Sequence, residues 1–226
     1  RPNLMIKVPG TPEGMGAIQA LIADGINVNV TLLFARGAYR AASEAYLKGL
    51  EARHAAGLPV TGIASVASFF VSRIDTLIDS KLGNAHADLK GKAAIANAKL
   101  AYADYESMVA GARWKKLREA GAMPQRLLWA STSTKNPAYR DVIYVEELIG
   151  PATVNTLPMA TLEAFRDHGV AKNTLRDGVD RAEGHMVRLR TVGIDFNAVT
   201  DQLLDEGLRL FSQAFDSLLA SVEKAK

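Results

Sequence analysis

Cysteine is absent from this 226-residue sequence, and histidine occurs only four times. Without cysteine the chain cannot be a disulfide-stapled scaffold, hold a metal through thiolates or use a cysteine nucleophile, and its composition fits a reducing compartment. The histidines lie far apart and form neither an HxxxH nor an HxH pattern, so we expect no metal site.

Long apolar runs and a large charge excess are lacking too. No run reaches the length of about 18 apolar residues that a transmembrane helix needs. The first ten residues show no secretory-leader pattern, so we expect none there. The net charge is only +3, from 27 basic and 24 acidic residues. The densest basic cluster, residues 113–118, has the spacing of a solvated helix face. We therefore expect neither a membrane nor a nucleic-acid partner.

Short apolar runs alternate with longer helical patterns, and this alternation indicates an α/β domain with a parallel sheet. The predicted strands cover residues 3–8, 26–33, 62–68, 125–131 and 152–156. The predicted helices cover residues 15–24, 38–56, 140–148, 159–167, 182–191 and 196–224. A further helical stretch, residues 70–121, is too long for one crossover helix, and we expect a break near Gly83 and Asn84. Residues 1–226 are expected to form one domain, since no linker interrupts them.

The strand count limits the choice of fold. Five predicted strands are fewer than the eight that close a (β/α)8 barrel. The chain is therefore either an open α/β sheet or a domain whose N-terminal part lies outside this sequence, and the pattern alone leaves both open.

Lys7 is an unusual residue because it lies within a strand-like apolar run, residues 4–8. Both faces of a parallel sheet are usually covered, so a lysine there would be costly to desolvate. One interpretation is a strand-end lysine whose ammonium reaches water. The other is an amine whose pKa is lowered by burial, which could attack a ketone and form an imine.

The second predicted strand alternates polar and apolar residues. Asn27, Asn29 and Thr31 share one face, and the apolar residues between them share the other. In an antiparallel sheet such a polar face would meet solvent. In a barrel it would point to the axis and form a hydrogen-bonding wall suited to a polyhydroxylated ligand.

Two more segments follow predicted strands. Arg73 lies five residues beyond Ser68, where barrel enzymes bind substrate, and its guanidinium suits a phosphate. The alternative is an ordinary surface arginine. The hydroxyl-rich run from Ser131 to Lys135 follows the fourth strand. It could hold a second part of a phosphate, or it could simply cap the next helix.

Taken together, these segments resemble the transaldolase family. The matching stretches, in the family's order, are IKVPGTPEG, DGINVNVTLLFA, ASFFVSRID, LLWASTSTKNPAYRDVIYVEELIGPATVNTLP and GIDFNAVTDQLLDEGLRLF. The resemblance implies a (β/α)8 TIM barrel, of which this chain supplies about five βα units (strands 4–8) and the C-terminal helices.

Roles for single residues follow from the resemblance. It implies that Lys7 forms the Schiff base, that Asn29 hydrogen-bonds substrate hydroxyls and that Thr31 helps to hold a catalytic water. Ser68 and Arg73 are implied to contact the substrate's hydroxyls and its phosphate.

The chain departs from the family pattern at two places. The better-known branch has an A-S-F-R segment after the fourth of these strands, whereas this chain has Ser131 and, four residues later, Lys135. We assign both to substrate binding, with Lys135 in place of the phosphate-binding arginine. The family's acid/base carboxylates lie on strands before the Schiff-base strand, and only six residues precede Lys7.

The implied activity is transfer of a dihydroxyacetone unit between sugar phosphates in the cytoplasmic pentose phosphate pathway, without a cofactor. The alternatives are a related Schiff-base aldolase and an inactive fragment lacking the carboxylates. On this interpretation a missing N-terminal fragment would be a partner. The 226 residues alone would be poorly soluble and inactive, with the strand of Lys7 unpaired on one side and its amine open to water.

Overall fold

The computed structural model describes residues 3–224 and contains one parallel sheet. Its strands lie side by side in chain order, which confirms the predicted α/β pattern. The strands are β1 (Ile6–Pro9), β2 (Val28–Leu33), β3 (Ser65–Phe70), β4 (Arg126–Ala130) and β5 (Thr153–Asn155).

Helices connect and follow these strands. They are α1 (Pro12–Ala23), α2 (Arg36–Ala55), α3 (Ser72–Lys81), α4 (Ala93–Ala110), α5 (Ala112–Glu119), α6 (Ile143–Glu146), α7 (Met159–His168), α8 (Val179–Thr191) and α9 (Phe196–Lys224), with a 3-10 helix at Asn84–Leu89. None of those described between residues 3 and 224 has both the length and the apolar character to cross a membrane.

Local sequence signals explain where several of these helices begin and break. Thr11 caps α1 by accepting a hydrogen bond from the Gly14 amide at 3.2 Å, and Pro12 opens the helix. The predicted break near Gly83 and Asn84 is confirmed by the 3-10 helix. A second break, at Gly111, was not predicted; its extended backbone separates α4 from α5. The predicted helix over 140–148 is only the single turn α6.

The two faces of the sheet differ in character. One face packs under the helices and carries the main core, with Val28, Val30, Ala67, Phe69 and Trp129 all fully or almost fully buried. We call the opposite side the inner face. Its apolar cluster is small: the buried members are Val66, Leu128 and Ala130.

Both edges of the sheet are open within residues 3–224. There, β1 pairs only with β2, and β5 pairs only with β4. Parallel strands with free edges leave unpaired backbone donors and acceptors along both margins.

Helix α9 approaches the sheet at the end of β2. The strand is irregular there, because its register with β3 shifts between Val30 and Leu33 and Leu32 adopts a positive φ of 60°. A methyl group added at Gly207 would lie 2.8 Å from Leu32 Cδ2, so the helix depends on glycine for this close approach. Beyond this contact α9 is exposed, and large apolar side chains such as Phe215 remain in solvent.

The contact between α1 and α2 provides a test of this packing. A Cβ at Gly49 would lie 2.7 Å from both the Gln19 carbonyl oxygen and Ile22 Cβ, whereas a Cβ at Gly16 meets nothing within 4 Å. Gly49→Ala should therefore lower the free energy of unfolding by about 1–3 kcal/mol. The matched Gly16→Ala should raise it by about 0.5–1 kcal/mol, because alanine favours helix. Urea denaturation measures both, and equal effects would contradict the proposed close approach.

Candidate functional site

Lys7 and Asn29 lie side by side on the inner face. Their Cα atoms are register partners in β1 and β2, and register partners in a parallel sheet share a face. Lys7 is exposed, which agrees with the expectation that its amine is open to water in these residues alone. Because β1 is an edge strand there, no neighbouring strand covers its outer side. Phe211 of α9 lies nearby, with its ring centroid 5.4 Å from Lys7 Nζ in a cation–π contact.

A hydrogen bond joins Asn29 to Ser68 of β3. The Ser68 hydroxyl donates to Asn29 Oδ1 at 2.7 Å. Within residues 3–224 the Asn29 amide nitrogen has no protein acceptor, so its N–H groups remain available to a ligand. The pair thus offers donors and an acceptor at one place, which suits a ligand with several hydroxyls.

The predicted polar wall is only partly present. Asn27 does not belong to it, because its Oδ1 accepts the Ala64 amide at 2.8 Å and so holds the start of β3. Thr31 is buried, and its Oγ1 has no hydrogen-bond partner among the described residues. An unpaired buried hydroxyl costs about 1–3 kcal/mol unless a water or ligand satisfies it. Thr31 is therefore suited to hold one water molecule at the end of β2.

The segments after β3 and β4 are tied together by serines. Ser72 donates its backbone N–H to the Ser131 carbonyl at 2.9 Å, and the two hydroxyls lie 2.9 Å apart. Arg73 follows at once, with its guanidinium carbon 5.5 Å from the centroid of the Phe70 ring. The structure thus brings the segments of Arg73 and Ser131 together. Lys135 stays on the exposed loop and donates to Ser133 Oγ at 3.0 Å.

A buried carboxylate in α3 supports this region and was not predicted from sequence. Asp75 is 1% exposed and accepts hydrogen bonds from the Ala94 amide and the Tyr144 hydroxyl, both at 2.8 Å. One turn later, Asp79 accepts from the Tyr139 hydroxyl at 2.6 Å. These bonds fix α3 to the start of α4 and to the segment that follows the Ser131 loop.

Comparison with known proteins gives this arrangement a context. The sequence model of the family described as "Transaldolase/Fructose-6-phosphate aldolase" matches residues 1–222. This chain belongs to that family.

Named relatives agree with the family match. The chain is 49% identical to the transaldolase of Thermobifida fusca over 98% of its own length and 62% of that protein. It is 50% identical to the transaldolase of Trichodesmium erythraeum, covering 99% of the chain and 63% of the relative. It is 50% identical to transaldolase 1 of Streptomyces avermitilis, covering 98% of the chain and 60% of the relative. The chain thus spans about three fifths of the length of these relatives.

Burial raises the pKa of Asp75 in this transaldolase-family chain to about 6, although its hydrogen bonds with the Ala94 amide and Tyr144 act in the opposite direction. A raised carboxyl pKa means that the folded protein holds this proton more tightly than the unfolded chain does. Folding therefore gains stability from Asp75 in its protonated form, and this gain is lost as the pH rises from about 4 through 6.

Asp75→Asn should remove this pH dependence. The amide keeps an oxygen for the Ala94 N–H, and it carries no charge to desolvate. The difference in unfolding free energy between the variant and the wild type should shift in the variant's favour by about 2–3 kcal/mol between pH 4 and pH 7.5. Asp201→Asn, an exposed carboxylate on α9, is the matched control and should show a flat difference. Denaturation at both pH values measures these differences. If the difference between Asp75→Asn and the wild type were the same at both pH values, the raised pKa of Asp75 would be contradicted.

Proposed function

We propose that this chain carries the Schiff-base part of a transaldolase site, which transfers a dihydroxyacetone unit between sugar phosphates. The observation that carries the proposal is the placement of Lys7 beside Asn29, which is itself hydrogen-bonded to Ser68. An amine next to a cluster of neutral donors and acceptors suits a substrate with a ketone flanked by hydroxyls. The family match and the named relatives support the same activity.

In the proposed reaction, the neutral Lys7 amine attacks the ketone carbon of sedoheptulose 7-phosphate, and loss of water gives an iminium. The bond between carbons 3 and 4 then breaks. Its electron pair moves into the iminium, the hydroxyl proton on carbon 4 goes to a base, and erythrose 4-phosphate leaves. The three-carbon enamine left on Lys7 adds to the aldehyde carbon of glyceraldehyde 3-phosphate, and the aldehyde oxygen takes a proton back from the base. Hydrolysis releases fructose 6-phosphate and the free amine.

Neighbouring residues have distinct parts in this scheme. The N–H groups of Asn29 and the oxygen of Ser68 would hold hydroxyls of the three-carbon unit. Thr31 would position a water that relays protons. The ring of Phe211 contacts the Lys7 ammonium and could also contact the iminium, which is a cation as well.

The phosphate would bind at the ends of β3 and β4. Arg73 supplies a planar fork of donors, and the backbone bond between Ser72 and Ser131 holds the two segments in one place. Lys135 would add a point charge from the loop beyond. Asp75 and Asp79 would act only by positioning these segments.

We further propose a closed (β/α)8 barrel in which residues 1–226 provide strands 4–8. Three features support closure: the parallel strands follow chain order, both sheet edges are unpaired in residues 3–224, and polar residues lie on the inner face. The acid/base carboxylates would then come from the strands that complete the barrel. A cytoplasmic location and a place in the pentose phosphate pathway go with this activity.

A Schiff-base aldolase is the second candidate, because the matched family includes fructose-6-phosphate aldolase in its name. Such an enzyme would use the same lysine but release free dihydroxyacetone. Incubation with fructose 6-phosphate separates the two: release of dihydroxyacetone without an acceptor aldehyde indicates the aldolase, and dependence on the acceptor indicates the transaldolase.

Lys7 should be the lysine that borohydride traps when the complete protein is incubated with fructose 6-phosphate. Reduction converts the imine to a stable secondary amine, and peptide mass spectrometry locates it. Lys7→Ala should abolish trapping and transfer, whereas Lys135→Ala should keep the adduct on Lys7. A reduced adduct on any other lysine would end the Schiff-base assignment.

Arg73→Ala should weaken the use of phosphorylated donors. Loss of a charge-assisted contact of about 1.5–3 kcal/mol lowers kcat/KM by roughly 10- to 150-fold. An unphosphorylated donor should be affected little, because its ketone still reaches Lys7. Lys135→Ala should show the same selectivity with a smaller effect, since a lysine provides no bidentate fork. Steady-state kinetics with paired donors is the measurement, and equal losses for both donors would exclude a phosphate role.

A further inference from the structure

A separate cavity of about 650 Å³ lies between α4 and α8. Its walls come from these two helices, from the turn that precedes α8 and from Glu147. None of the proposed active-site residues contributes to it. We call it the α4–α8 cavity.

The lining of this cavity is cationic. Lys92, Lys99, Arg181 and Arg188 contribute four positive side chains, along with His185, and the acidic residues are Glu147 and Asp177. The Lys99 side chain is only 7% exposed. It donates to Glu147 Oε2 at 2.7 Å and to the Asp177 carbonyl oxygen at 3.1 Å, so Glu147 is already committed to it.

The cations at the rim are held differently from one another. Arg188 is paired with Asp88 at 2.5 Å, and Lys92 donates to the Asp88 carbonyl oxygen at 2.7 Å. Arg181 has no hydrogen-bond or ion-pair partner among the described residues. Its guanidinium instead folds over Gly178, where an added Cβ would lie 2.5 Å from Arg181 Nη2.

The guanidinium of Arg181 lies beside the N-terminus of α8. Gly178 is the N-cap of the 13-residue helix α8 and provides no capping side chain, so the first N–H groups of the helix are not capped there. A guanidinium beside the positive end of a helix dipole is repelled by it, and Asp180 in the first turn is the only acidic residue of that turn. An anion in the cavity would contact the guanidinium and reduce this repulsion.

His185 lies near the same positive charges. Its Nε2 atom is buried and has no hydrogen-bond partner among the described residues. Burial lowers the pKa of His185, and the charges of Lys92 and Arg188 lower it further, while Asp88 and Asp79 act in the opposite direction. A bound anion would add a negative charge next to this imidazole.

We infer that the α4–α8 cavity binds a small phosphate monoester, with the phosphate group against Arg181 and Arg188. The guanidinium forks suit phosphate oxygens, and the cavity also offers an apolar wall, Ile95, Ala96 and Ala182, for the rest of the molecule. Its volume is that of an ordinary small-molecule site. This site is independent of the proposed Schiff-base chemistry.

Histidine NMR tests the inference directly. In protein labelled with ¹⁵N-histidine, increasing inorganic phosphate should shift the titration midpoint of His185 to higher pH in a saturable manner. Chloride at the same ionic strength should not have this effect. His54, an exposed residue at the end of α2, is the internal control and should not respond. Glycerol 3-phosphate should bind more tightly than inorganic phosphate, because its carbon chain contacts the apolar wall.

Variants localise the effect. Arg181→Gln should weaken phosphate binding roughly tenfold or more. Arg190→Gln, the same exchange elsewhere on α8 and outside this cavity, should leave it unchanged, as should Lys7→Ala. A shift of His185 that does not saturate, that chloride reproduces, or that persists unchanged in Arg181→Gln would overturn the proposal. Tighter binding of inorganic phosphate than of glycerol 3-phosphate would show that the site does not recognise a monoester.

Discussion

The parallel register between β1, β2 and β3 is the constraint on which the proposed site depends. Register partners in a parallel sheet share a face, so the pairing of Lys7 with Asn29 decides that the amine lies beside an amide rather than among the apolar core residues. A shift of one residue would point Lys7 toward the helices. The hydrogen bond from Ser68 then fixes the Asn29 side chain, and one strand pairing thereby orders three functional groups.

Helix α3 holds the proposed phosphate region in place. It begins at Ser72, which is bonded to Ser131, and carries Asp75 and Asp79 one turn apart. Both carboxylates accept hydrogen bonds from tyrosines downstream of the β4 loop. A buried carboxylate with a raised pKa is costly at neutral pH, and its hydrogen bonds offset only part of that cost. Asp75 therefore lowers the stability of the folded protein at neutral pH, while its hydrogen bonds hold the segment of Arg73 in place.

Alternation of strands and helices was readable from the sequence, because apolar periodicity and glycine or proline breaks are local signals. The two breaks in the long helical stretch show how far such local signals reach. The break near Asn84 was predicted, whereas the break at Gly111 was not, because a single glycine does not stand out in an alanine-rich helical pattern. Among site residues, Asn29 and Ser68 were singled out through the family resemblance, but the hydrogen bond between them was not predicted. The network around Asp75 was not predicted either, since it depends on contacts between elements distant in sequence.

The exposure of Lys7 is compatible with its proposed role in forming the Schiff base. An amine that must accept a large substrate needs an open approach, and the inner face of the sheet leaves Lys7 exposed in the described residues. Phe211 is itself 47% exposed, so the ring covers Lys7 on one side while leaving the other side accessible. The contact of Gly207 with Leu32 sets the distance between α9 and the sheet. A larger residue at Gly207 would push the helix outward, and Phe211 would then move away from the amine.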